Sequence, residues 1–470
     1  MRRGEKERIN SDYDACVIGT GISGLSCAID ILTQNEDCDL LLLESKSTIG
    51  GRVSSDYENG FTFDRGYAVF IEDYPQSKEI FDYSALKLKS YSPGALIKQK
   101  DKQKLSRIAD PLRQPSKLFA ALTTSVGSFS DKLRLAPLFY YVKTNSVEDI
   151  FNNENDDMDT LTCLKTKYNF SDKIIREFFQ PFLVGIYFAP LEEQSSKMFH
   201  FVFKMFADGK ASLPTGGMQT VSNQLYEKAC SLKATSKFNH MVNGITELNN
   251  EKGYGIKISN GDFVTAKSVI CATEGDTARK LLSNLNGLDT LKNIDPQPQL
   301  SVGSVYYSFE GQAPVTEPIL ILNGEGIDSG PALTVSFLEN VNDSYAPQGY
   351  SLCSISIPSS YMQEYEGKHN ELDLRIRRQL SEWWPDFSPQ ITNEWKLEKI
   401  YNIKQAQPRQ YGGPQPANVN GGRDPSEYLG QKLPTGVFVC GDHMATSTLN
   451  GAVESGRNAA KKYLEWSTNI

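Results

Sequence analysis

The stretch YDACVIGTGISGLSCAIDILTQNEDCDLLLLE, residues 13–44, decides the fold. Residues 13–19 (YDACVIG) form a short apolar run bounded by polar residues, the pattern of a buried parallel strand. The run passes directly into Gly19-Thr20-Gly21-Ile22-Ser23-Gly24, a G-x-G-x-x-G loop. A helix is expected next, with Leu25, Ala28, Ile29 and Leu32 on its apolar face. A second apolar strand, residues 39–44 (DLLLLE), ends in an acid, Glu44.

Each part of this unit has a physical purpose. Gly19 permits a tight turn, Gly21 lets the backbone approach a pyrophosphate, and Gly24 lets helix and strand pack closely. The helix N-terminus, with Thr20 and Ser23 beside it, offers free N–H groups and a partial positive charge to phosphate. Glu44 suits the hydroxyls of a ribose and repels a 2′-phosphate. Strand, glycine loop, helix, strand and acid together predict a dinucleotide site.

Glu44 is followed by Ser45-Lys46-Ser47-Thr48-Ile49-Gly50-Gly51-Arg52. The paired glycines let the chain double back along a pyrophosphate, and Arg52 supplies a charge-assisted contact. At this point the chain resembles the flavin-containing amine oxidase superfamily, which includes phytoene desaturases and protoporphyrinogen oxidases. The resemblance implies FAD as cofactor, with Gly19, Thr20, Gly21, Ser23, Gly24, Glu44, Ser45, Gly51 and Arg52 around it. It continues through residues 63–67 (FDRGY), similar to the segment that runs beside the isoalloxazine ring, implying Gly66 and Tyr67 there. Residues 213–218 (LPTGGM) resemble the turn that leads back into the FAD domain, and Val242 matches the position whose backbone meets the adenine. Residues 437–442 (VFVCGD) and 451–456 (GAVESG) resemble the C-terminal FAD motif, which brings in Gly441, Asp442, Gly451, Ala452 and Val453.

That last motif also has its own physics. VFVC reads as a buried strand, and Asp442 at its end can take a ribityl hydroxyl. A helix starting near Asn450, capped by Asn450 or a neighbour, would stabilise negative charge on a reduced flavin. The small residues Gly451, Ala452 and Gly456 would admit a flat ring.

The expected fold class is α/β: a Rossmann-like two-dinucleotide-binding FAD domain with an inserted α+β substrate domain. Residues 1–75, 214–290 and 400–470 are assigned to the discontinuous FAD domain, and residues 76–213 and 291–399 to the substrate domain. Segment 76–213 is helix-like in its apolar spacing, whereas 291–399 carries alternating, strand-like runs. Aromatics are dense in residues 178–188 and 199–206, where they either line an apolar substrate tunnel or pack helices together.

The 470 residues carry a net charge of −8, with 39% hydrophobic and 23% charged side chains, which fits a globular protein and disfavours a nucleic-acid partner. The eight cysteines form no CxxC pair, and the four histidines have no metal-ligand spacing, so neither a metal nor a disulfide framework is expected. No run approaches the roughly 18 apolar residues of a membrane span, and the polar N-terminus lacks the apolar core of a secretory signal. A soluble cytoplasmic or organellar location is expected. Peripheral membrane contact through residues 111–141, where basic and apolar side chains mix, stays open beside an ordinary amphipathic helix pair.

Chemistry follows from the cofactor. The superfamily's amine oxidases place a lysine near flavin N5 on a substrate-domain strand; the corresponding run here, residues 299–309 (QLSVGSVYYSF), has none. They also carry an aromatic before the C-terminal helix, where this chain reads Thr446-Ser447-Thr448-Leu449-Asn450. Both departures favour dehydrogenation of a bulky apolar small molecule, carotenoid- or isoprenoid-like or porphyrinogen-like, by hydride transfer to flavin. The electron acceptor is not legible. An amine oxidase with an altered site and a flavin-binding protein without turnover are the alternatives. Tyr67, Tyr187 and His443 are the candidates for the flavin face; no general base is named.

Overall fold

The computed structural model describes residues 12–66, 69–109, 123–153, 158–248, 253–293, 299–410, 429 and 431–469. Its first sheet is built on strand Tyr13–Ile18, which pairs in parallel with Leu40–Leu43 on one side and Phe263–Cys271 on the other. Thr235–Lys237 extends the sheet beyond Leu40–Leu43, and Val437–Val439 adds a parallel strand to Phe263–Cys271. Tyr254–Ile258 and Val242–Glu247 complete it as an antiparallel meander. Leu40–Leu43 is buried at every position, the signature of a strand covered on both faces. One face carries the helices Ile22–Gln34, Gln219–Ser231 and Leu449–Ser467; the other carries Gly275–Leu282 and its neighbours.

This topology sets the carboxyl ends of four neighbouring parallel strands along one edge. Ile18, Leu43, Cys271 and Val439 end there, so Gly19, Glu44, Thr273 and Gly441 open onto the same crevice. Open α/β sheets bind ligands in that crevice.

The second sheet runs in the order Lys396–Pro408, Gln299–Glu310, Tyr350–Ile357, Thr334–Phe337, Leu320–Asn323, Ala95–Lys98, Ser106–Ile108. It is antiparallel except where Leu320–Asn323 meets Ala95–Lys98. An aromatic layer beside it comes from helices Phe129–Thr144, Gln180–Tyr187 and Ser196–Asp208, with Phe179, Phe199 and Phe201 fully buried.

Several expectations change. Segment 76–213 is not purely helical, because Ala95–Lys98, Ser106–Ile108 and Ala211–Leu213 are strands. The boundary drawn at 400 falls inside strand Lys396–Pro408, which is bonded along Gln299–Glu310 and so belongs with the second sheet. The boundary at 75 also moves, since Ile80, Phe81 and Leu86 pack into the core of the first sheet. Lys98, at the end of strand Ala95–Lys98, is buried, its Nζ donating to the carbonyl of Lys102.

Candidate FAD site and adjoining cavity

Helix Ile22–Gln34 starts at Gly21 with no side-chain cap and no acid in its first turn. The contrast within the same chain is sharp, since Phe129–Thr144 and Val147–Asn152 each begin with a complete serine–aspartate capping box. The uncapped N–H groups therefore point at space reserved for another acceptor. A Cβ built on Gly21 would meet nothing within 4 Å, and one on Gly51 would touch only the Gly21 Cα, at 3.6 Å. The two glycines face each other across an open cradle, held by a bridge between Gly21 and Gly50 and by the Gly50 N–H donating to the Thr20 carbonyl at 3.0 Å. Gly19 and Gly24 serve the turn itself: Cβ atoms there would lie 2.8 Å from the Ala272 oxygen and 2.1 Å from the Gly19 oxygen.

Glu44 is buried at the end of its strand. Its Oε2 accepts from Thr20 N at 3.0 Å and Thr20 Oγ1 at 2.7 Å, and its Oε1 from Lys46 N at 3.0 Å and Ser45 Oγ at 3.2 Å. Val242 lies close by, because His240 N donates to the Glu44 carbonyl just before the strand begins. Arg52 reaches the C-terminal motif: its Nη2 stands 2.7 Å from Asp442 Oδ1, and its Nη1 donates to the Ala406 carbonyl. An uncapped helix end, an open glycine cradle, a presented carboxylate and a guanidinium are the donor set that a flavin dinucleotide requires, and these residues fit it.

Residues 61–66 are fastened from the second sheet. Asp64 is buried and accepts from Ser55 Oγ at 2.6 Å, Met218 N at 2.8 Å and Tyr345 Oη at 2.8 Å. Burial pushes its carboxyl above the usual range, although the three donors oppose that shift. Tyr306 donates to the carbonyls of Asp64 and Gly66, which fixes Gly66 in a left-handed conformation at φ +107°. Sequence reasoning missed these two tyrosines, because their partners lie more than two hundred residues away. Tyr67 lies outside the described residues.

The C-terminal motif departs from expectation in detail. The last helix, Leu449–Ser467, is capped by Thr448, whose hydroxyl accepts from Gly451 N at 3.0 Å; Asn450 instead accepts from Gln76 N. Gly451 makes room for the Thr446 carbonyl, and Gly456 for the Ser23 carbonyl of the first helix. Their smallness serves chain packing. Ala452 is half-buried and Val453 fully buried in the core beneath. His443 is buried in a tight turn with its ring folded against Gly441, whose φ of +152° a larger residue would resist.

A cavity of about 320 Å³ opens between the start of the last helix and the aromatic layer. Ser447, Thr448 and Val69 line it, together with Phe139, Phe178, Phe182 and Phe206. Among the described residues that line it, none is charged; the polar atoms come from tyrosine, serine and threonine hydroxyls and the backbone. Tyr74 stacks on Phe201, is hydrogen-bonded to Thr448, and its phenol is pushed up by burial. Tyr187 is not among the residues that line the cavity: it is buried in the helical core with its hydroxyl donated to the Met198 carbonyl at 2.6 Å. The aromatic runs at 178–188 and 199–206 thus divide, with Phe178, Phe182 and Phe206 at the cavity and Phe179, Phe199 and Phe201 in the core.

Known proteins share this architecture. The chain is 22% identical over 336 residues to a coproporphyrinogen III oxidase of Bacillus subtilis (strain 168), a match covering 63% of this chain and 68% of the relative. It is 28% identical over 141 residues to protoporphyrinogen oxidase 2, chloroplastic/mitochondrial, of Arabidopsis thaliana, covering 30% of this chain and only 27% of that one. Its fold superposes on cyclohexylamine oxidase from Brevibacterium oxydans IH-35A with a TM-score of 0.68 at 17% identity, covering 98% of this chain and all of the other. The family described as flavin containing amine oxidoreductase matches residues 22–464. With that match over almost the whole chain, and a crevice that fits the cofactor, the protein belongs to the flavin containing amine oxidoreductase family and is an FAD-dependent oxidoreductase.

Proposed function

We propose that this oxidoreductase dehydrogenates a bulky, uncharged, apolar small molecule held in the cavity beside Ser447 and Thr448. The observation that carries the proposal is the cavity lining: aromatic and aliphatic side chains, hydroxyls, and no charge among the described residues. A protonated amine or a carboxylate entering it would lose its hydration without an ionic partner, at a cost of several kcal/mol. An isoprenoid-like chain loses nothing of the kind. A porphyrinogen, supported by the B. subtilis relative's name, would fit only with any carboxylates outside the cavity.

Residues 1–86, 214–290 and 409–470 are proposed to hold the cofactor and the rest of the chain the substrate. The N-terminus of Ile22–Gln34 would receive the pyrophosphate with Gly21 and Gly51, Glu44 the ribose, Val242 the adenine, and Arg52 and Asp442 the middle of the dinucleotide. Oxidised FAD, when bound, supplies a hydride acceptor at N5. Little is then left for the chain's own residues to do. The apolar walls exclude water and hold a C–H bond in place, and the Asp64, Tyr306 and Tyr345 network keeps Gly66 in position.

The test is anaerobic reduction of the FAD-loaded protein, followed at the flavin absorbance band. A linear polyene in detergent should bleach it, while polyamines and amino acids should not. Bleaching by amines alone would overturn the proposal in favour of an altered amine oxidase. A flavin reduced by dithionite but by no member of a panel that includes porphyrinogens would point to a flavoprotein without turnover.

A further inference from the structure

Residues 342–345 (NDSY) make a short turn between two strands of the second sheet, Thr334–Phe337 and Tyr350–Ile357. Side chains of a connecting turn ordinarily face water. Asp343 does, whereas Asn342 and Tyr345 are only 2% and 0% exposed. The turn reaches two segments remote from it in the chain. Asn342 Nδ2 donates to the Leu213 carbonyl at 3.1 Å and to Thr215 Oγ1 at 3.2 Å, and Ser344 Oγ accepts from Gly216 N at 2.9 Å. From residues 61–66, Thr62 Oγ1 donates to the Ser344 carbonyl at 3.4 Å, and Asp64 Oδ2 accepts from Tyr345 Oη at 2.8 Å. Phe61, Phe63, Leu213, Val341 and Leu352 pack with Tyr345 in one apolar core. Five hydrogen bonds from one turn to two distant segments make a built junction, since Asn342 and Tyr345 buried without partners would be costly.

Asp64 is the hub of this junction. Its Oδ1 accepts from Ser55 Oγ and Met218 N, and Ser55 Oγ in turn accepts from Gln219 N at 3.0 Å. Carboxylate and hydroxyl together thus cap helix Gln219–Ser231, which has no cap from its own Met218 side chain. The positive end of that helix favours the ionised carboxyl, against the burial that disfavours it. Tyr345 supplies the donor to Oδ2. Two residues further on, the Gly66 carbonyl accepts from Tyr306, on a strand of the same second sheet. The phosphate cradle is therefore built by the first sheet and its helix, while residues 64–66 are tied by two buried phenols to the second.

We infer that the turn 342–345 is a clasp that sets the flavin-facing segment against the second sheet, with Tyr345 as its positioning residue. The clasp governs how the flavin ring is seated on the substrate side, and not how tightly the dinucleotide is gripped. The inference rests on the reading of residues 63–67 as the segment beside the isoalloxazine ring. The experiment compares the visible circular dichroism of the bound flavin, which reports the ring's surroundings, with FAD affinity from fluorescence titration. Tyr345→Phe should alter the dichroic bands while FAD affinity stays within about threefold of the wild type. Tyr307→Phe is the control: its phenol, buried on the opposite face of the same sheet, donates to Asp373 Oδ1 at 2.6 Å. It should lower the thermal midpoint to a similar extent and leave the bands unchanged. If Tyr345→Phe does not fold, Ser344→Ala, which removes only the acceptor of Gly216 N, takes its place and should alter the same bands. Bands that match the wild type in these clasp variants, or that change equally in Tyr307→Phe, would overturn the clasp. Gly66→Ala, which sets a Cβ 3.1 Å from Ile403 Cδ1, tests the underlying reading and should alter the bands directly. A silent Gly66→Ala would overturn that reading and the inference with it, whereas a silent Tyr345→Phe beside a responsive Gly66→Ala would overturn the clasp alone.

Discussion

The guanidinium of Arg52 and the carboxylate of Asp442 meet at 2.7 Å, although 390 residues separate them in the chain. The pair joins the N-terminal glycine loop to the strand end of the C-terminal motif, so the crevice is closed by an ion pair between the two ends of the sequence. Asp442 keeps only 11% of its side chain exposed and Arg52 38%, so the pair is partly shielded from water.

Removing one partner should therefore act on the cofactor more than on the fold. Arg52→Ala leaves a nearly buried carboxylate without its cation, a loss of about 1.5–3 kcal/mol. FAD affinity of the apoprotein should fall about 10- to 100-fold, read by flavin fluorescence titration. Asp442→Asn should cost less. The double variant should lose less than the sum of the two, because the charges are coupled.

Gly21 and Gly24 should separate cofactor binding from folding. Gly21→Val projects its side chain into open space, so denaturant midpoints of the FAD-free protein should stay close to wild type while FAD binding is lost. Gly24→Val drives a Cβ to 2.1 Å from the Gly19 carbonyl oxygen, so the fold itself should weaken by about 1–3 kcal/mol. Equal effects of the two substitutions on the FAD-free protein would contradict the open cradle.

Phe182 tests the cavity. It stacks on Phe178 at 5.5 Å and meets Phe206 edge-on at 5.2 Å. Phe182→Leu keeps the lining apolar and should leave kcat/KM for a polyene within about threefold. Phe182→Asp puts an unpartnered charge into that wall and should reduce kcat/KM more than about tenfold, with flavin content unchanged.

Glu454 gives the chain a pH dependence. It lies one turn inside the last helix, buried, and its Oε2 has no hydrogen-bond partner among the described residues. Burial pushes its carboxyl up to about 8. The folded protein thus holds this proton more tightly than the unfolded chain. Its contribution to stability is complete below the ordinary carboxylate range and is lost as pH rises toward 8, by at most about 1.4 kcal/mol per pH unit. Glu454→Gln should flatten that decline: denaturant midpoints measured from pH 5 to pH 9 should fall less in the variant than in the wild type.

The dinucleotide half of the site was legible from residues 13–52 alone, for a physical reason. A phosphate cradle is made by backbone in one strand–turn–helix, so its glycines, its uncapped helix and Glu44, the acid proposed for the ribose, stand close together in sequence. The C-terminal motif was legible by resemblance, but the duties of its small residues were not, because only the packed structure shows that Gly456 faces Ser23 and Gly451 faces Thr446.

The cavity was beyond the sequence. Its lining is drawn from positions between Val69 and Thr448, and the same aromatic runs supply both its walls and the core behind them. Helical spacing cannot tell Phe178 from Phe179; the turn of the helix against its neighbours does. Tyr187 shows the same limit, since a tyrosine at a cavity wall and one buried while donating to a backbone carbonyl look alike in sequence. Local backbone chemistry determined that this chain binds a dinucleotide, whereas the tertiary packing of distant side chains decided where an apolar molecule meets it.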